Sequence, residues 1–319
     1  MIVYTLAMLA FTWHLAARAP KVAESKVAAE ASVEERELVA AGAGAPVPVE
    51  RRPSSPYAAG SAFEGSLRSR QRGSIALMLT YLATALLVVS VAMRGIAVSR
   101  PPWGNMFEFA TAAAAAVGVA YSALARRNRW EWLGVFIVTP ILLVLGLSLT
   151  VLYTEAGELM PALKSYWLGI HVSVAFLAVA FFTLAFAIGV LYLVRLRREE
   201  KPPANPGVLE SLPSAAALER TAYSLNMVGF ILWTFTLIAG AIWAKQAWGA
   251  YWQWDPKEVW TFVIWTVYAA YMHARATAGV DPRKSMYIAL AGYVAVIINF
   301  TLVNLVSTFV GMHNYSGMS

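Results

Sequence analysis

The sequence predicts an all-α integral membrane protein of about eight transmembrane helices. Both termini are expected outside, with a Trp-rich external loop between helices six and seven. Three observations carry this. Of the 319 residues, 59% are hydrophobic and only 13% charged, where a soluble chain is about half apolar and a quarter charged. The apolar residues fall into eight long runs, and a bilayer needs about 20 such residues per helical span. The Lys and Arg residues collect in alternate connections between the runs, the pattern that sets membrane topology.

The runs are Ile2–Ala17, Ser74–Met93, Met106–Ala125, Trp132–Leu152, Trp167–Val194, Thr221–Ala244, Val259–Ala276 and Met286–Val310. Of the 25 Lys and Arg residues, 20 lie in four connections: Arg18–Arg72, Arg126–Arg129, Arg195–Arg220 and Arg275–Lys284. Positive connections stay cytoplasmic. That places Arg94–Asn105, Tyr153–Tyr166 and Lys245–Lys257 outside. The first run has no positive residues before it and a positive flank after it, so it reads as an N-out helix spanning residues 1–17 rather than a signal peptide. Residues 18–73 are rich in Ala, Glu, Pro and Ser with mixed charge and read as a disordered cytoplasmic linker. Residues 74–313 then form a seven-helix membrane domain, and 314–319 an external tail.

Composition also excludes several chemistries. With no Cys, disulfides, Cys-ligated zinc, iron–sulfur clusters and CxxC redox chemistry are ruled out. The net charge of +7 sits in short clusters between apolar runs, so no nucleic-acid partner is expected; the lipid bilayer is. Four His remain as metal ligands.

The densest signal is the external loop 243–258. It holds Trp243, Trp248, Tyr251, Trp252, Trp254, Asp255, Lys257 and Glu258. Trp248 and Trp252 are four apart, so a helical turn would put them on one face. Such a platform suits a large flat apolar ligand, with polar groups fixing its orientation. The plainer reading is an interfacial belt, since Trp and Tyr collect at headgroup depth. A belt usually supplies one or two aromatics per helix end, and this loop has five.

Topology sorts the His by depth. His171 lies near the outer end of the fifth run and His313 just past the eighth, both beside the Trp loop. Two imidazoles flanking an aromatic platform are a way to hold haem iron axially. Taken singly, each also reads as an ordinary boundary His. His273 lies near the cytoplasmic end of the seventh run, where ionisable residues mark functional pathways. His14 lies at similar depth and reads first as an end-of-helix polar residue, an inner pair with His273 being the alternative.

The stretch from Trp243 to Arg275, WAKQAWGAYWQWDPKEVWTFVIWTVYAAYMHAR, closely resembles the WWD signature of the CcsA/ResC-type haem-handling proteins of system II cytochrome c biogenesis. Residues 105–109 (NMFEF), 159–172 (LMPALKSYWLGIHV) and 302–313 (LVNLVSTFVGMH) are similar to the same family. The resemblance implies heme b as the transported ligand. It implies His171 and His313 as the external iron ligands, and His273 as the iron ligand of an inner site. The second inner ligand would come from a CcsB/ResB-type membrane subunit. The implied function is a subunit of a cytochrome c haem lyase in the plasma (inner) membrane. It would present haem on the external face for thioether formation with the CXXCH segment of apocytochrome c. Asp255 and Glu258 would orient haem propionates through Lys or Arg, or contact the partner. A haem exporter without lyase activity and a membrane haem electron-transfer subunit are the alternatives.

Overall fold

The computed structural model describes residues 1–16, 67–155, 165–203 and 207–305. Every regular element among them is helical: α1 (Ile2–Ala16), α2 (Leu67–Ala97), α3 (Met106–Asn128), α4 (Gly134–Thr150), α5 (Tyr166–Glu200), α6 (Ala215–Trp248), α7 (Pro256–Ala276) and α8 (Pro282–Phe300). Short 3-10 turns at Glu131–Leu133 and Val208–Ser211 and a last turn at Leu302–Leu305 complete them.

Each of the eight runs thus seeds one helix, but the lengths differ in informative ways. Six helical stretches are long and apolar enough to cross a membrane: residues 71–97, 106–128, 131–150, 166–200, 215–248 and 282–304. The sequence reading has eight. Helix α1 is described over only 15 residues, short of the roughly 20 that a span needs. The Trp, Tyr, His and Arg residues of α7 hold down its mean hydropathy. The expected linker 18–73 also needs correction at its end. Residues 17–66 lie outside the described residues, but α2 already begins at Leu67. Its Leu, Arg and Gln residues are good helix formers and extend the apolar helix without all being apolar. The eighth run breaks at Thr301. The chain beyond residue 305, including the expected tail 314–319, lies outside the described residues.

Local chemistry sets the helix starts. Asn105, Ser165, Ser214, Asp255 and Asp281 each sit at an N-cap, and their side chains accept a main-chain N–H of the first turn. Pro256 and Pro282 follow their caps at the first helical position, where a missing N–H costs nothing. Helix α6 ends on Gly249 at φ 83°, the left-handed closure that glycine adopts without strain.

Helices α5 and α6 pack along most of their length, α7 packs on α8 and α6, and α3 bridges α2, α4 and α5. The core between α5, α6 and α7 is aromatic. Phe182 stacks on Tyr268 with ring centroids 3.8 Å apart and 7° between planes, beside buried Trp233. One end of the bundle is tied by ion pairs, Arg275 with Glu219 at 2.6 Å and Arg198 with Glu210 at 3.2 Å. The Trp loop and a cleft occupy the other end.

Candidate functional site

At the Trp-loop end the helices part around an open cleft. Its walls come from the start of α3, α5, the last half of α6, the start of α7 and the end of α8. Trp103, Phe109, Trp233, Trp243, Trp252 and Phe300 make it strongly aromatic. The polar lining is divided. Helices α5 and α6 contribute His171 and Thr236, while α7, α8 and the last turn contribute Lys257, Glu258, Thr261, Asn299 and Asn304.

His171 is held in one orientation. Its Nδ1 lies 2.9 Å from the main-chain oxygen of Thr236. A carbonyl oxygen can only accept, so Nδ1 carries the proton and donates it. The lone pair is therefore on Nε2, the arrangement seen in metal-binding imidazoles, whose other nitrogen is tied to an oxygen acceptor. Gly240 makes the approach possible. A Cβ there would lie 2.7 Å from Cε1 of His171. Trp243 lies nearly parallel to the imidazole, 13° between planes with centroids 6.3 Å apart.

The Trp loop departs from the expected shape. Helix α6 ends at Trp248, and residues 249–255 are not helical. Trp248 and Trp252 therefore do not share a helical turn; Gly249 reverses the chain between them. Trp243, Tyr251 and Trp252 line the cleft. Trp248 backs Trp243 edge-on at 5.6 Å. Trp254 packs edge-on to Trp252 at 5.8 Å, is 77% exposed and takes a positive φ of 61°. Trp248, Trp254 and Asp255 are not among the cleft-lining residues.

Asp255 is buried and caps α7. Its Oδ1 accepts the N–H of Lys257 at 2.9 Å, and Oε2 of Glu258 accepts the N–H groups of Gln253 at 2.8 Å and Asp255 at 3.3 Å. These carboxylates fold the loop back onto the helix start. Lys257 reaches across from that turn and donates Nζ–H to the main-chain oxygen of Asn299 at 2.8 Å. Its ammonium lies 5.2 Å from the Phe300 ring centroid. Burial pushes the amine down to about 7, against the opposing pull of Asp255.

The Asn105–Phe109 segment proves to be a clamp. The Asn105 side chain accepts the Glu108 N–H at 2.9 Å. The fully buried Glu108 carboxylate accepts from Arg94 Nε at 2.9 Å, Arg100 Nη1 at 2.7 Å and the Gly104 N–H at 2.8 Å. Arg94 also donates to the Thr154 carbonyl at 2.8 Å. The network pins the 98–105 connection, which carries Trp103 to the cleft, onto α2 and the segment that follows α4.

Trp103, Phe109, Trp233, Asn299 and Asn304 were not legible as site residues. Asn299 and Asn304 left a signal, since polar amides inside an apolar run need a reason. His273 sits exposed on α7 near the opposite end of the bundle. His14 is buried, and Gly73 gives it room: a Cβ there would lie 2.9 Å from its Cε1. Helix α1 packs on α2 and α4, whereas α7 packs on α8 and α6. Among the described residues, no extended packing of α1 against α7 brings His14 toward His273. His313 lies outside the described residues.

The profile of the cytochrome C assembly protein family matches residues 103–311. The chain belongs to this family. It is 33% identical over 262 residues to cytochrome c biogenesis protein CcsA of Guillardia theta, covering 75% of this chain and 85% of that protein. It is 32% identical over 295 residues to CcsA of Gloeobacter violaceus, covering 74% and 85%. With CcsA of Gloeothece citriformis the identity is 30% over 306 residues, covering 81% and 92%. The family match starts at Trp103 and takes in every element that lines the cleft. Helices α1 and α2 precede it.

Proposed function

We propose that this chain is a subunit of the system II cytochrome c haem lyase, taking haem from an inner station at His273 to the aromatic cleft at the external face. The observation that carries this reading is the Nδ1–H bond of His171 to Thr236 within an aromatic cleft. It fixes the tautomer that presents Nε2 to a metal and raises the basicity of that nitrogen. Haem is a flat apolar ring with two carboxylates. The cleft offers flat apolar walls from Trp243, Trp252, Trp103 and Phe300, and the buried amine of Lys257.

In this reading His171 and His313 hold the iron on its two faces, and the Trp walls exclude water and fix the ring plane. Apocytochrome c presents CXXCH to the open side, and its Cys thiols add across the haem vinyl groups to give thioethers. This chain has no Cys, so its residues position the substrate and the bond-forming sulfurs are the cytochrome's. A CcsB/ResB-type subunit supplies the second ligand beside exposed His273.

The test is co-expression with the partner subunit and an apocytochrome c, followed by a covalent haem stain of the cytochrome and an absorption spectrum of the purified complex. Haem in the complex together with stained cytochrome supports the lyase. Haem in the complex without thioether product would leave an exporter, and no haem at all would refute the reading.

A further inference from the structure

Lys257 is not explained by fold stability alone. A long cationic side chain is drawn into the cleft wall, where burial opposes its charge. It donates to a neutral carbonyl, that of Asn299. Asp255 pulls on it through space. An ammonium has three donors, and Asn299 takes one of them. Around it the cleft wall is polar: Glu258, Thr261, Asn299 and Asn304 all lie on the α7 and α8 side. His171 lies on the α5 and α6 side. The cleft therefore has a metal-binding wall and a separate charged wall.

We propose that Lys257 is the carboxylate-recognising group of the cleft, binding a propionate of the macrocycle and so fixing its rotation about the iron axis. This rests on the reading of the cleft as a haem site. A ligand carboxylate supplies the counter-charge that Asn299 cannot. It enters against repulsion from Asp255 and Glu258. The Glu258 carboxylate is partly committed, since its Oε2 already accepts two main-chain N–H groups. The Asn304 amide nitrogen is fixed on the Phe300 carbonyl at 2.9 Å. That bond is local to the turn after α8. Rotation matters because only one orientation offers each vinyl group to its own Cys.

The experiment compares iron protoporphyrin IX with its dimethyl ester, in which both carboxylates are neutral, on the purified full chain in detergent. Wild type is expected to bind the diacid about tenfold or more tighter than the diester, the scale of one hydrogen bond to a charged group. Lys257→Met should bind the diacid no better than the diester, while Lys257→Arg should keep most of the preference. Undiminished preference in Lys257→Met overturns the subsite. Equal binding of both porphyrins by wild type overturns it too, while leaving haem binding intact. Binding of neither refutes the haem reading itself. Should Lys257→Met fail to fold, the wild-type comparison still decides.

Discussion

The imidazole of His171 and the main-chain carbonyl of Thr236 are joined by a 2.9 Å hydrogen bond between α5 and α6, at a point where Gly240 opens the space for the ring. The bond cannot be removed by changing the Thr236 side chain, because the acceptor is backbone. It can be removed through Gly240.

Gly240→Ala would place a methyl group within 2.7 Å of the His171 ring. Overpacking of this kind costs about 1–3 kcal/mol. The ring should move off Thr236, and haem content should fall in a protein that still folds. His171→Ala should lose haem as well and regain part of it with added imidazole, which enters the vacated volume. Gly240→Ala should not respond to imidazole, because its own ring still fills the space. Haem per folded complex, with and without imidazole, checks both.

Lys257 predicts a pH dependence. Its amine is pushed down to about 7 in the fold, against about 10.4 in an unfolded chain. Between those values the unfolded chain binds a proton that the fold has released. Stability therefore rises as pH climbs from about 7 toward 10, and the full penalty of the buried charge is present below about 7. Thermal unfolding of ligand-free wild type and Lys257→Met should converge at high pH and diverge as pH falls, with Lys257→Met the more stable near pH 6. A constant difference across that range would count against a buried lysine.

Glu108→Gln should be among the most damaging single changes at this end of the bundle. It leaves Arg94 and Arg100 facing a neutral amide in a buried site. Breaking a buried ion pair from one side costs about 3–5 kcal/mol. The 98–105 connection should loosen and take Trp103 out of the cleft wall. Faster proteolysis near Arg100 and a lower melting temperature, both only slightly relieved by bound haem, are the expected readouts.

The Trp residues should divide by position rather than by number. Trp243 and Trp252 line the cleft, so Trp252→Phe should hold more haem than Trp252→Ala. Trp254 is 77% exposed, and Trp254→Ala should cost little haem. Trp254→Gly should raise stability slightly, since a non-Gly residue at φ 61° is strained. Equal haem in wild type and Trp252→Ala would leave the loop as a membrane anchor. Asp255→Asn should act through the α7 cap and the nearby Lys257, so its damage should appear in melting temperature as well as in haem.

The sequence by itself determined the helical class, the eight helix seeds and the family. These rest on hydrophobic runs and a contiguous motif, both local along the chain. It also placed His171 beside the Trp loop, because topology needs only the order of spans. It could not show that Asp255 is committed to a helix start, that Trp248 and Trp252 are separated by a left-handed Gly249, or that Trp254 faces outward. Those depend on how one loop reverses, which Gly249 and the Asp255–Glu258 box decide together. Only the tertiary structure brought Lys257 to Asn299, 42 residues away, and Trp103 to the same cleft. Contacts between distant helices follow from packing, and no periodicity in a single run encodes which neighbour it meets. The tautomer of His171 belongs to that second group: a sequence names the ring, and only a carbonyl from another helix decides which nitrogen keeps its lone pair.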